Sequence, residues 1–120
     1  MGFSQEGMSK VHSKGEYKHP VTGATRYRTG DDFVGEEGTE ILSNVAGTVE
    51  FASFGEYGTG YGGYGNVVSV KDSSDKLHLF AHLSNVDVAE GEEVKVGDVL
   101  GVIGSSGNST GRHLRYEVRN

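Results

Sequence analysis

At 120 residues the chain is long enough for one domain with a buried core and too short for two of ordinary size. Its net charge of -6, with no basic stripe, argues against nucleic acid and against electrostatic attachment to an anionic membrane surface. The absence of cysteine removes disulfides and thiolate metal sites, and no apolar run approaches the length of a membrane-spanning helix.

Twenty glycines against a single proline, Pro20, predict many tight turns and few helices. Residues 1–18 read as an N-terminal segment with an irregular insertion running through Tyr17, and residues 19–120 as the domain proper. Met1-Gly2-Phe3-Ser4 does not begin a secretory signal, so no signal peptide is expected in this chain. Residues 45–52, 66–71 and 76–82 have the length and the β-branched or aromatic content of strands. Asp72-Ser73-Ser74-Asp75 is a turn cluster that makes the last two a hairpin. Residues 100–103 and 114–119 add two further strands. No helical window of useful length is present, so the predicted class is all-β.

One segment is compositionally unusual. Residues 55–65 form a glycine-rich loop carrying Tyr57, Tyr61 and Tyr64. Its tyrosines could stack on sugars or peptide planes; the plainer reading is a hairpin tip with incidental aromatics. In the strands, alternation of side chains puts His113, Arg115 and Glu117 on one face and Leu114 and Tyr116 on the other. The same rule groups His78, Phe80 and His82.

The run Gly111-Arg112-His113-Leu114-Arg115-Tyr116-Glu117-Val118 resembles the G-P-H-L-H-F-E-V signature of the lysostaphin/LytM-type zinc endopeptidases of peptidoglycan. Arg28-Thr29-Gly30-Asp31-Asp32-Phe33 resembles their H-T-G-I-D-F, and His19-Pro20-Val21-Thr22-Gly23 their H-P-V-T-G. Phe80-Ala81-His82-Leu83-Ser84 is similar to Y-A-H-L-S, and Val94-Lys95-Val96-Gly97-Asp98-Val99-Leu100-Gly101-Val102-Ile103-Gly104 to V-K-x-G-x-x-I-G-x-x-G. These matches are collinear over nearly the whole chain. The resemblance implies an all-β, single LytM/lysostaphin-like domain, a duplicated hybrid motif forming an antiparallel sheet with an open groove.

The resemblance also implies a site. His82 and His113 stand at the family's catalytic positions, where they orient a metal-activated water and stabilise the charged intermediate. Asp32 is the one remaining zinc ligand, because Arg28 and Arg115 occupy the positions of two ligand histidines. A guanidinium has no lone pair to donate and is not deprotonated in proteins. No metal or other cofactor is therefore expected unless other ligands, His12, His19, Glu36 or Glu37, are recruited to rescue a zinc site. His19 reads as the structural histidine of its turn and His12 as a solvated loop residue.

Zinc with one aspartate and two neutral histidines carries a net charge of plus one, and so do two arginines around Asp32. Both Arg28 and Arg115 are accordingly expected to donate charge-assisted hydrogen bonds to the Asp32 carboxylate. The expected function is a catalytically inactive or impaired domain facing the bacterial cell wall or carried in a phage tail, which binds peptidoglycan or a wall-associated protein, or regulates or positions a wall hydrolase. Tyr57, Tyr61 and Tyr64 are expected to border its groove. Two alternatives stand beside it: an active endopeptidase with a rearranged metal site, and a structural module of a phage tail in which virion proteins are the partners.

Overall fold

The computed structural model describes residues 2–107, 111 and 113–120. The Ser109-Thr110 step and Arg112 of the final motif lie outside the described residues. Among those described there is no helix, and the all-β expectation holds.

The centre of the fold is a hairpin of two strands, β7 (Asn66–Lys71) and β8 (Leu77–Val86), joined through the predicted turn at Asp72. The Asp72 carboxylate accepts from the backbone N–H groups of Ser74 and Lys76, which fixes that turn. Val67, Val68, Ser69 and Val70 have no exposed surface, so β7 is covered on both faces. Its apolar run reads accordingly as continuous rather than alternating.

From this hairpin the sheet grows in two directions, every pairing antiparallel. On one side β7 pairs with β6 (Gly47–Phe54), which in turn pairs with β9 (Glu93–Val94). On the other, β8 pairs with β11 (Leu114–Arg119), β11 with β4 (Asp31–Val34), and β4 with β1 (Ser9–His12). β10 (Val99–Ile103) joins β8 and carries β5 (Glu40–Leu42) at its outer edge. A separate two-stranded sheet is made by β2 (Gly15–Lys18) and β3 (Thr25–Arg28).

The main core lies on one face of the large sheet, where Phe80, Leu83, Leu100, Leu114 and Tyr116 pack with Ile41 and Val49. A smaller cluster on the other face joins Tyr61, Val67, Leu79 and Ala81, with Phe51 packed against them.

The N-terminal segment departs from the expectation of an irregular insertion. It contains β1 and β2, and Phe3 is 4% exposed, packed edge-on to Phe33 and Phe80 at ring distances of 5.0 and 6.1 Å. Polar residues with short spacing, as in Ser9-Lys10-Val11-His12, gave no alternation to read, because β1 is exposed along its whole length. It exists as a strand because β4 offers an edge to pair with. Phe3→Ala should cost about 3–5 kcal/mol, the range for emptying a buried phenylalanine site. Urea unfolding measures this, and a loss below about 1 kcal/mol would mean that the segment is not part of the core.

Candidate functional site

The site is assembled by register. Within β1–β4–β11–β8, His12 pairs with Asp32, Asp32 with Arg115, and Arg115 with Ala81. Cross-strand partners in antiparallel sheets share a face with Cβ atoms about 4.5–5.5 Å apart. His12, Asp32 and Arg115 therefore project side by side, and His113 and Glu117 flank Arg115 on the same strand face.

Arg115 grips Asp32 with two atoms, Nε to Oδ1 at 2.6 Å and Nη2 to Oδ2 at 3.3 Å. This fork-to-carboxylate geometry is the strong form of a charge-assisted hydrogen bond. Its third nitrogen, Nη1, donates to Glu117 Oε2 at 3.4 Å. Glu117 is 4% exposed and also accepts from the Tyr64 hydroxyl at 2.6 Å and the Thr29 hydroxyl at 2.8 Å. Arg119 approaches its other oxygen at 3.8 Å. Two carboxylates and two guanidiniums thus balance in one cluster. Gly30 makes this possible, since a Cβ there would lie 2.5 Å from Glu117 Cγ and 2.6 Å from Arg115 Cδ.

His12 Nδ1 lies 3.3 Å from Asp32 Oδ2, and His113 Nε2 lies 3.8 Å from Oδ1. Burial alone would raise the Asp32 carboxyl. The hydrogen bonds and charge of Arg115, helped by His113 and His12, outweigh it and hold the group below its ordinary pKa.

His82 reaches the same face by a different route. Alternation placed it with His78 and Phe80, but Phe80 pairs with Tyr116, which belongs to the main core. At His82 the backbone turns to a φ of 67°, beside an irregularity in the pairing with β7. This left-handed residue flips the side chain out of the core face and into the groove. The His82 backbone N–H donates to the Tyr64 carbonyl at 2.8 Å, and its Nδ1 donates to the Ser106 carbonyl at 2.7 Å. The loop carrying Ser106 comes close enough because Gly65, with a φ of 65°, has no Cβ to meet it. Burial lowers the His82 pKa, and the nearby His113 and Arg115 act in the same direction against the Ser106 hydrogen bond. The ring is therefore neutral at physiological pH, with Nδ1 protonated and Nε2 carrying a lone pair. Its ring lies 4.7 Å from that of His113.

Together Asp32, His82, His113 and Arg115, with Tyr64, Gly62 and Gly63, line an open cavity of about 340 Å³. Three expectations need correction. Arg28 does not bridge to Asp32; its guanidinium lies 3.7 Å from the Tyr17 ring centroid. Arg28 faces Gly15 across the β2–β3 hairpin, and the missing side chain leaves it free to lie over Tyr17, two residues further along the same face. Tyr61 is not a rim residue. It is 9% exposed, stacked on Phe51 at 4.4 Å, with its hydroxyl 3.0 Å from Ser69 Oγ. His12, read from the sequence as a solvated loop residue, stands on a strand beside Asp32. Of the tyrosines, Tyr64 lines the cavity and Tyr57 is 80% exposed on the loop. His19 accepts from the Val21 and Thr22 N–H groups, as a turn histidine does.

Residues 26–120 match the profile of Peptidase family M23. The chain belongs to this family. It is 36% identical over 121 residues to the DD-carboxypeptidase/endopeptidase Mpg of Neisseria meningitidis, covering 98% of this chain and 26% of that protein. It is also 36% identical over 90 residues to the murein hydrolase activator NlpD of Escherichia coli, covering 75% of this chain and 22% of that one. The chain thus spans about a quarter of the length of these curated relatives. The crystallized catalytic domain of lysostaphin from Staphylococcus simulans superposes with a TM-score of 0.77 at 28% identity, covering 92% of this chain and 78% of that one. The lysostaphin-like fold and family read from the motifs are therefore correct.

The zinc that the family implies does not fit these residues. Both oxygens of Asp32, the ligand the resemblance offers, are held by a guanidinium, and a second cation cannot share them at that distance without strong repulsion. Among the described residues no group of three His, Cys, Asp or Glu side chains is arranged to hold a metal ion.

Glu117 is a site residue that the candidate set omitted. Its position midway between Arg115 and Arg119 on the same strand face was the available signal; its other two partners, Tyr64 and Thr29, come from distant segments and were not readable. Asp32→Asn should cost about 2–3 kcal/mol at neutral pH, below the range for a fully buried pair because the Arg115 side chain is 23% exposed. A carboxyl whose pKa folding lowers adds stability that is complete above its unfolded pKa, about 3.9, and is lost as pH falls through the folded one. The variant should therefore lose less stability than the parent between pH 7 and pH 3. Identical pH dependence in urea titrations of the two proteins would refute the pairing.

Proposed function

We propose that this M23 domain engages peptidoglycan, or a hydrolase that acts on it, at the bacterial cell wall without cleaving peptide bonds by the zinc mechanism. The observation that carries this reading is the two-point grip of Arg115 on Asp32. A catalytic zinc needs three protein ligands and an open position for water. Here a fixed cation lies on the one shared ligand, and no group is left to lower the pKa of an attacking water toward neutrality.

The groove itself persists. His82, His113 and Tyr64 still border the cavity, and the exposed Tyr57 offers an aromatic face at its loop. Aromatic faces and imidazoles suit sugars and peptide amides, which present both apolar and hydrogen-bonding surfaces. Two relatives frame the choice, one named for cutting and one for activating a murein hydrolase. The Arg115–Asp32 pair favours the non-cutting role.

Protein purified without chelator should carry far less than one zinc per chain, release no new peptide termini from purified peptidoglycan, and yet sediment with it. Tyr57→Ala should weaken sedimentation several-fold with unchanged thermal stability, since its side chain is exposed. Stoichiometric zinc with hydrolysis would overturn the proposal. So would the joint absence of peptidoglycan binding and of any stimulation of wall amidases or endopeptidases.

A further inference from the structure

We propose that the β2–β3 hairpin is a docking surface for an extended, acidic segment of a partner protein, which adds to the free edge of β3 as a third strand. The chain's negative total hides a local excess of the opposite sign. Residues 14–28 carry Lys14, Lys18, Arg26 and Arg28 against Glu16 alone, a net charge of plus three, which leaves minus nine for the rest of the chain. None of these residues lines the groove cavity, so this surface is separate from whatever the groove binds.

The hairpin forms a two-stranded sheet of its own, with no third strand among the described residues. Such a pair is marginal in water by itself. The alternate N–H and C=O groups of β3 that point away from β2 have no backbone partner among those residues. The edge is nevertheless held ready. At the tip the His19 N–H donates to the Ala24 carbonyl and the Gly23 N–H to the His19 carbonyl, both at 2.9 Å. At the base the Lys14 N–H donates to Asp31 Oδ1 at 2.7 Å. A strand that adds to β3 thus meets a preformed template, which lowers the entropic cost of binding on this side of the interface.

Side-chain alternation defines what that strand must carry. Tyr17, Arg26 and Arg28 share one face, with the Arg28 guanidinium 3.7 Å from the Tyr17 ring centroid. Thr25 and Tyr27 share the other, and Tyr27 is 62% exposed. A third strand beside β3 therefore sets every second residue next to two guanidiniums, which select carboxylates. The intervening residues lie next to Tyr27, which selects apolar or β-branched side chains. Arg26 is exposed and pairs with no carboxylate among the described residues. An edge meant only to repel other strands would be lined by charge throughout, whereas here Tyr27 lies between the two arginines. A membrane or a nucleic acid would also set its many negative charges against the acidic remainder of the chain, while a short segment meets the hairpin alone.

The probe is a fluorescein-labelled peptide of alternating Glu and Val, long enough to cover β3, followed by anisotropy at low ionic strength. It should bind the unmodified chain. Arg26→Glu should weaken binding at least about tenfold and Tyr27→Ala about threefold, with thermal stability unchanged in both. Should the reversal disturb the hairpin, Arg26→Gln removes the charge alone and must still weaken binding. Methylating every second backbone nitrogen of the peptide should abolish binding for one of the two alternate sets and spare it for the other, since one edge of an added strand faces β3. In the complex the amides of Thr25–Arg28 should exchange more slowly with solvent. No binding by the alternating peptide, or binding indifferent to both Arg26 variants, would overturn the proposal. Equal binding of a peptide with the same residues but its acids in one block, or indifference to both methylated sets, would reduce the surface to charge and rule out strand addition. Tighter binding to phosphatidylglycerol vesicles or to polyphosphate than to the peptide would show that the partner is not a protein segment.

Discussion

Everything at this site depends on the in-register antiparallel pairing of four strands, β1, β4, β11 and β8. A shift of one residue between β4 and β11 would send the Arg115 side chain to the opposite face from Asp32, and the charge cluster would vanish. The register is held by the core on the far face, where Phe33, Leu114, Tyr116 and Phe80 come from three of those strands and Phe3 closes over them. The hydrophobic face thus sets the polar one. Each apolar residue that fits into the core fixes the placement of its polar neighbour on the groove side.

The Arg115–Asp32–Glu117 arrangement is better understood as a device for specificity than as a source of stability. Two carboxylates this well buried carry a desolvation cost that their cations at best offset. What the cluster does supply is order. Tyr64, Thr29, Arg115 and Arg119 all converge on Glu117, and this ties the glycine-rich loop, the β3–β4 turn and the last strand to one point. A zinc ion could perform that tying function in relatives of this fold. Here a guanidinium fork does so with fixed geometry.

The sequence disclosed the fold far more fully than the site. Strands such as Asn66–Lys71, a β-branched run, and Leu114–Arg119, an apolar/charged alternation, were legible because such patterns and turn clusters are local signals. The hairpin at Asp72 was legible for the same reason. β1 and β2 were not, since their residues are exposed or half-exposed and obtain their strand character from a partner rather than from their own pattern. At the site, the pairing of Arg115 with Asp32 followed from the positions that the family resemblance gave them together with their opposite charges, whereas the fate of Arg28 turned on a glycine facing it across a hairpin. Tyr61 and Tyr57 are alike in composition and opposite in burial, and only tertiary packing separates them. His82 is the clearest case. Strict alternation assigns it to the core, and a single left-handed residue reverses that assignment.

That reversal bears on how the groove is held. A non-glycine residue with positive φ costs on the order of 1–3 kcal/mol and persists only where its surroundings determine it. At His82 those determinants are the Tyr64 and Ser106 carbonyls, and neither involves residue 28 or residue 115. The histidine is therefore positioned by the β7–β8 hairpin and its neighbouring loops, and by no direct bond to the row of His12, Asp32 and Arg115 on β1, β4 and β11. The same separation explains why the two arginines are not equivalent. Residue 28 sits on a hairpin outside the large sheet, so a change there releases the side chain to another partner and leaves the row intact. Residue 115 sits on the central strand of the site, and its side chain cannot leave Asp32 without giving up both of that carboxylate's guanidinium hydrogen bonds.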